Sequence, residues 1–333
     1  MNPKNKSRLL VLGIAALGIV LGFWAINTRI FSPTIGARIG RLAVRYYLAP
    51  RHAAGASVEV TRAALRNITK LALLPGGTTV TPVSIGGMQA EWVRAKNAPE
   101  SSKKAILYFH GGGFFSGSPA THRDLAARLS AASGVPALVP DYRLAPEHPF
   151  PAANEDCLAS YRWLLKKGFR PQDIVIGGDS AGGCLTAMTL LSLRDEKTPL
   201  PAAAFLISPL TDAVHFDGES RKTRAAFDPF LSPGATGTHI SRYTQNPENP
   251  PAILSPVRAD LSGLCPLLIQ VGTDEILLSD STRLAERAEK AGVPVTLHVY
   301  DHMWHVFQSF AVIVPEARDA IAEIGAFIRK ELS

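Results

Sequence analysis

The sequence predicts an α/β fold, a mostly parallel sheet of about eight strands covered by helices on both faces. Three observations carry this. From residue 78 onward, short apolar runs rich in β-branched residues alternate with longer helical patterns. One junction, Ile174-Val175-Ile176-Gly177 followed by Gly178-Asp179-Ser180-Ala181-Gly182-Gly183, is a strand passing through a tight glycine-flanked turn into a Leu/Ala/Met-rich helix. Finally, His110, Asp141, Ser180, Asp274 and His305 all fall at the carboxyl ends of predicted strands, where ligands bind in such sheets.

The elements follow in order. Thr78 to Ser84 and Ala90 to Arg94 are strands joined through Gly86-Gly87. Ala105 to Phe109 is a buried strand running into His110-Gly111-Gly112-Gly113-Phe114, and Arg123 to Ala132 is helical. Val135 to Val139 is a strand that ends at Asp141, after which Pro146, Pro149 and Pro151 stiffen the loop. A helix from Ala152 to Lys167 stops at Gly168, with cations in its last turn. After the Ser180 unit come the strand Ala203 to Ile207 and a Pro-, Asn- and Ser-rich stretch, 212–255, of weak periodicity that reads as an insertion. Leu267 to Val271 is a strand, Ser279 to Ala291 a helix, Val295 to Tyr300 a strand, and Pro315 opens a final amphipathic helix.

Hydrophobic residues at 46% and charged residues at 19% place the 333-residue chain among globular proteins able to bury one large core. The net charge of +7 suggests nucleic acid until it is located. Residues 1–51 carry eight basic side chains (Lys4, Lys6, Arg8, Arg29, Arg38, Arg41, Arg45, Arg51) and no acidic one, which leaves 27 basic against 28 acidic residues elsewhere. A near-neutral body argues against phosphate binding and so against a nucleic-acid partner. Cys157, Cys184 and Cys265 are odd in number and far apart, so no disulfide framework or zinc motif follows.

Leu9 to Thr28 is uncharged, and its apolar part, Leu9 to Ile26, follows three basic residues. At about 1.5 Å per residue it spans about 27 Å, close to the ~30 Å of a bilayer core. The expected organisation is therefore a basic start with an uncleaved single-pass transmembrane helix over 1–31, membrane contact running through 9–28, with the orientation left open by basic residues on both flanks. A cleaved signal peptide and a buried helix are the competing readings, the first weakened by a poor cleavage site near Gly22 to Ala25. Arg38, Arg41 and Arg45 share one helical face, and Ile39, Leu42, Val44, Tyr46 and Tyr47 populate the others. That pattern fits a helix lying on anionic headgroups and equally a lid helix with a solvated face.

A serine hydroxyl attacks an ester only when an oriented base removes its proton. Ser180, Asp274 and His305 supply nucleophile, acid and base in the order Ser, Asp, His. Asp280 is the rival acid, but it lies inside a helix pattern, and His302 is the rival base. His302-x-x-His305 lacks a third ligand for a metal, so no metal or other cofactor is expected. The His110-Gly111-Gly112-Gly113 loop lets backbone N–H groups approach a substrate oxygen. It does not complete a phosphate-binding G-x-G-x-x-G, since Ser116 stands in the last glycine's place.

Four motifs together resemble the hormone-sensitive-lipase-like branch of the α/β-hydrolases, the bacterial family IV esterases: His110 to Phe114, Asp141-Tyr-Arg-Leu-Ala-Pro-Glu147 through Ala152, Gly178 to Gly183, and Gly272-Thr-Asp-Glu275. The resemblance covers about residues 75–330. It implies an α/β-hydrolase fold with a helical cap, built from residues 32–74 and 212–255 over a core of 75–211 and 256–333. It also implies Ser180 as nucleophile, Asp274 as acid, His305 as base, and an oxyanion hole from the N–H groups of Gly112, Gly113 and Ala181. Supporting places fall to His110, Gly111 and Asp179, while Asp141, Arg143 and Glu147 brace the site without reacting. The Met303-Trp-His305-Val-Phe ending is similar to acetyl-hydrolase and lactone-hydrolase members. The apolar start is a departure that arylacetamide deacetylases share. The expected activity is hydrolysis of small lipophilic short- to medium-chain esters, acetyl esters or lactones, with a membrane-anchored amide deacetylase or a non-catalytic ligand receptor as alternatives. A homodimer is compatible with the sequence.

Overall fold

The computed structural model describes residues 33–53, 55–70, 73–244 and 249–333. Eight strands form one sheet: β1 (Thr79–Ile85), β2 (Met88–Arg94), β3 (Ala105–Phe109), β4 (Ala137–Pro140), β5 (Ile174–Asp179), β6 (Ala203–Ile207), β7 (Leu267–Gly272) and β8 (Val295–Tyr300), in the order β1-β2-β4-β3-β5-β6-β7-β8. β2 runs antiparallel to β1 and β4, and all other pairs are parallel. Every residue of β3, β5, β6 and β7 is buried, because helices cover both faces and the strands have no solvent side to mark with polar residues. Pro82 is tolerated because β1 is an edge strand.

The helices are α1 (Ile35–Ala43), α2 (Val58–Thr69), α3 (Pro119–Ser133), α4 (Ala152–Lys166), α5 (Ala181–Asp195), the single turn α6 (Ser220–Thr223), α7 (Pro233–Thr244), α8 (Leu278–Lys290) and α9 (Pro315–Glu331). α4 and α5 cover one face of the sheet with Cys157, Tyr161, Leu164, Leu185 and Met188. α3 and α9 cover the other with Leu125, Leu129, Ile321, Ile324 and Ile328. α3 starts four residues before the expected helix because Ser118 and Thr121 form a reciprocal cap and Pro119 is set for the first turn.

Within 212–255 the weak periodicity conceals α7. Its glycines and threonines are poor helix formers, but Ala235, Thr236, His239, Ile240 and Tyr243 give it a buried face, so packing overrides propensity. The anchor expected over residues 9–28 lies outside the described residues. Among the described residues no helix is long and apolar enough to cross a membrane.

Candidate active site

Ser180 stands between β5 and α5 with φ 54° and ψ −118°, a conformation that non-glycine residues rarely adopt. The turn exists because glycines flank it: a Cβ on Gly178 would lie 2.5 Å from the Gly182 and Phe109 carbonyl oxygens, and one on Gly182 would lie 2.0 Å from Phe109 O. The serine's own backbone is clamped from the neighbouring strand, its N–H donating to Ile207 O (2.9 Å) and its carbonyl accepting from Leu210 N–H (3.1 Å). Its Oγ therefore projects above the sheet, 2.9 Å from His305 Nε2.

The acid that meets His305 is Glu275, not Asp274. Glu275 Oε2 lies 2.8 Å from His305 Nδ1. Its other oxygen accepts from Ser208 Oγ (2.8 Å) and Gly272 N–H (2.7 Å), so the buried carboxylate is fully engaged. Asp274 turns the opposite way. Its Oδ2 accepts from Arg41 Nη1 at 2.8 Å, and it approaches only the half-exposed His302 at 4.0 Å. Both residues lie in the turn that follows β7, where the backbone path sends the two carboxylates to different sides. Thr273 and Asp274 continue off β7 by donating their N–H groups to Tyr300 O and Met303 O, which commits the inward position to Glu275. Asp280 is a structural residue: buried in α8, it accepts from Thr211 N–H, Asp212 N–H and Arg221, and burial lifts its carboxyl to about 6.

His305 is fully enclosed. Burial opposes its protonation, but the Glu275 hydrogen bond and charge, with Asp228 and Asp179 behind them, outweigh burial and raise it above the ordinary histidine value. Asp228 is a second carboxylate in this field, one that no sequence motif marks. It accepts from Phe230 N–H (2.8 Å), Leu231 N–H (2.9 Å) and Ile276 N–H (2.9 Å), tying segment 212–255 to the residue after Glu275. Burial raises it to about 6, although His305 and those three donors work in the other direction.

Gly112 and Gly113 of the glycine loop line the same cavity as Ser180 and His305. Ala181 is the first residue of α5, so its N–H has no intrahelical acceptor. The loop is tied down by Asp179, whose Oδ1 accepts from Gly111 N–H (2.9 Å) and from Tyr108 Oη (2.6 Å), while His122 Nε2 lies 3.5 Å from its Oδ2. Asp179 is lowered despite its burial, chiefly by the His122 charge and by hydrogen bonds from His122 and Tyr108. His110 stacks on Tyr142 at 4.1 Å, and Tyr142 Oη donates to His110 O. Burial lowers His110 to about 3, so it is a neutral ring.

The bracing residues occupy a loop beside the site and do not touch Ser180. Arg143 makes a bidentate pair with Asp156 and reaches Glu155. Glu147 is gripped by Nη1 and Nη2 of Arg62 from α2 (2.7 and 2.8 Å). Asp141 is exposed and joins these residues around a separate polar cleft.

Above Ser180 lies a cavity of ≈ 630 Å³. The amino-terminal segment supplies Val44, Leu48, His52 and Leu65 to its wall, and segment 212–255 supplies Phe230, Leu231, His239 and Ile240. The His52 and His239 rings pack against each other with centroids 4.3 Å apart and planes tilted by 53°, and burial lowers both, His239 to about 4, so the wall is lined by neutral rings. Sequence reasoning missed Glu275, Ser208, Asp228 and His122 as parts of this site. Only Glu275 left a signal, as the carboxylate adjacent to the one chosen.

A strand-turn-helix serine, a buried imidazole and a carboxylate behind it, set at the carboxyl ends of a parallel sheet, define a hydrolase of the α/β-hydrolase class. The family model for the alpha/beta hydrolase fold matches residues 106–309. The chain is 42% identical over 256 residues to an acetyl-hydrolase of Streptomyces hygroscopicus, covering 77% of this chain and 83% of the relative. It is 38% identical over 259 residues to an esterase of Acinetobacter venetianus, covering 77% and 84%. Among solved structures it is similar to an esterase of the bacterial hormone-sensitive lipase family, with a TM-score of 0.86 and 39% identity over 91% of this chain and 100% of that one. It is also similar to EstE5 soaked with p-nitrophenyl butyrate, with a TM-score of 0.83 and 42% identity over 90% and 99%. The chain belongs to the hormone-sensitive-lipase-like, bacterial family IV, esterases of the α/β-hydrolase superfamily, and is a carboxylic ester hydrolase.

Proposed function

We propose that the chain hydrolyses short- to medium-chain carboxylic esters, acetyl esters among them, through an acyl-enzyme on Ser180. The observation that carries this is the relay of two hydrogen bonds, Ser180 Oγ to His305 Nε2 and His305 Nδ1 to Glu275. His305 takes the hydroxyl proton as Oγ attacks the ester carbonyl, and Glu275 stabilises the imidazolium and holds its tautomer. The oxyanion that forms accepts hydrogen bonds from the N–H groups of Gly112, Gly113 and Ala181. His305 returns the proton to the departing alkoxide, which leaves as the alcohol. Water, deprotonated by the same nitrogen, then attacks the acyl carbon and releases the acid with Ser180 restored.

Residues 33–74 and 212–255 act as two halves of a cap whose apolar lining receives the lipophilic part of the substrate. A cavity of ≈ 630 Å³ lies in the range that encloses most of a small organic ligand, which favours short and medium chains over long ones. The acetyl-hydrolase relative and the butyrate ester soaked into a similar structure support the same size class.

A p-nitrophenyl ester series from acetate to palmitate tests this reading. The highest kcat/KM is expected between acetate and octanoate, and a fluorophosphonate should label Ser180 stoichiometrically. Ser180→Ala should lower kcat by about 10⁴–10⁶. A maximum at palmitate would overturn the size assignment, and wild-type turnover by a clean Ser180→Ala preparation would overturn the acyl-enzyme. Matched ester and anilide substrates separate an esterase from an amidase.

A further inference from the structure

We propose that the outer face of α1 seats on an anionic lipid surface. α1 has two unlike sides. Its inner side is Gly36, Ala37 and Gly40, followed by Val44 at the start of the wider turn Val44–Leu48 that continues the helix, all buried. Gly36 passes so close to the loop before α9 that a Cβ would lie 1.8 Å from Ile313 O, and a Cβ on Gly40 would meet the Trp304 ring at 3.0 Å. Thr34 fixes the start of the helix, its N–H and Oγ1 donating to the two oxygens of Glu316 (3.0 and 2.8 Å). The helix is therefore docked by its small residues and cannot turn its other side inward.

That other side carries Ile35, Ile39 and Leu42, with Tyr46 following in the turn Val44–Leu48, spaced four, three and four residues apart, and they are exposed by 51, 50, 54 and 72%. Such spacing places them on one stripe of the helix. Phe227, also half exposed, adjoins α1, since Arg41 donates to the Phe227 carbonyl. Beside the stripe stand Arg38 and Arg45, both exposed, and the first acidic residue of the chain is Glu59. A soluble surface rarely leaves four large apolar side chains aligned beside exposed cations, whereas a helix in the headgroup region has this composition.

The sequence names the occupant. The chain enters α1 directly from residues 9–28, an uncharged apolar stretch with Lys4, Lys6 and Arg8 before it and Arg29 after it. A lipid surface engaged by that stretch is within reach of the stripe, because only a few residues separate the two. The arginines complement an anionic headgroup and would gain nothing from a second apolar protein surface. The turn Val44–Leu48 that continues α1 supplies Val44 and Leu48 to the cavity wall, so a bilayer against the outer face of α1 lies next to the cavity over Ser180.

The native cysteines are all free and buried, which leaves an introduced surface cysteine open to selective labelling in the full chain. Leu42→Cys and Tyr46→Cys carrying an environment-sensitive fluorophore should shift to the blue on phosphatidylcholine vesicles containing phosphatidylglycerol. Nitroxide-labelled lipid should quench them several-fold. A Glu100→Cys label, placed just before β3 at the end of the sheet away from Ser180, should not respond. Arg38→Gln with Arg45→Gln should weaken the response at position 42 by about twenty-fold in vesicle concentration while leaving turnover of a soluble ester unchanged. A label at position 42 that stays in water on anionic vesicles overturns the proposal. So does one already shielded before vesicles are added, which would mean that residues 1–32 or a second copy cover the stripe. Equal quenching at position 100 would also overturn it.

Discussion

At the carboxyl ends of β5, β6 and β7, positions are set by buried hydrogen bonds between neighbouring loops: Glu275 alone engages Ser208, Gly272 and His305, and Asp179 engages Tyr108, Gly111 and His122. The wall above is held differently. Arg41 reaches from α1 to Asp274, Arg62 from α2 to Glu147 and the carbonyls of Phe115 and Ala145, and Arg242 from α7 to His239 and the Ala56 carbonyl. Few of these wall contacts are deeply buried, whereas the floor's polar atoms are almost wholly enclosed. An enclosed acceptor that loses its donor carries the full cost of desolvation, while a partly exposed one is rescued by water. Changes in the floor should therefore abolish chemistry, and changes in the wall should alter stability and access.

The adjacent pair Glu275 and Asp274 gives the sharpest test, because one belongs to the floor and the other to the wall. Glu275→Gln should lower kcat by about 10³–10⁴ in steady-state ester hydrolysis. The carboxylate is what raises His305 against burial, so its removal leaves burial dominant and the imidazole becomes less basic. Activity requires neutral His305, and the acidic limb of the residual kcat/KM profile should therefore move to lower pH than in the wild type. Asp274→Asn should cost less than about tenfold in kcat and leave that limb in place. The comparison breaks if the two variants exchange behaviours.

Arg62→Ala should lower stability by about 1–2 kcal/mol in urea unfolding, since it strips a bidentate partner from Glu147 and a donor from two carbonyls. Its kcat on a small acetate ester should change less than its KM on longer esters. The smallest effect is expected from Asp228→Asn. Asp228 contributes to raising His305, so its neutralisation should move the acidic limb downward by a fraction of a pH unit, read from the same profile. An upward movement would show that the carboxylate does not act on His305 through its charge.

Ser180 and His305 were legible because each is marked by something local, close glycines in one case and a strand end in the other. Glu275 was not. β7 is buried on both faces, so its sequence shows no alternation from which the direction of Asp274 or Glu275 can be counted. The choice between them is set by the Tyr300 and Met303 carbonyls that hold the turn, and Arg41, 233 residues away, then takes Asp274 as its partner. Asp228 was hidden for a similar reason: its donors come from its own turn and from Ile276, and neither partnership leaves a pattern. The strands were read to within a few residues, since continuous apolar runs survive without tertiary knowledge. α7 was lost because its stability comes from the face it buries.

The roof over Ser180 is assembled from two stretches of chain that lie far apart in sequence yet fasten to each other, His239 Nε2 against the His52 carbonyl and Arg242 on the Ala56 carbonyl. Neither half closes the chamber alone. New substrate preferences on this scaffold are therefore expected to arise by inheriting both pieces together, and a graft exchanging one without its mate should leave the chemistry intact beneath an ill-fitting roof.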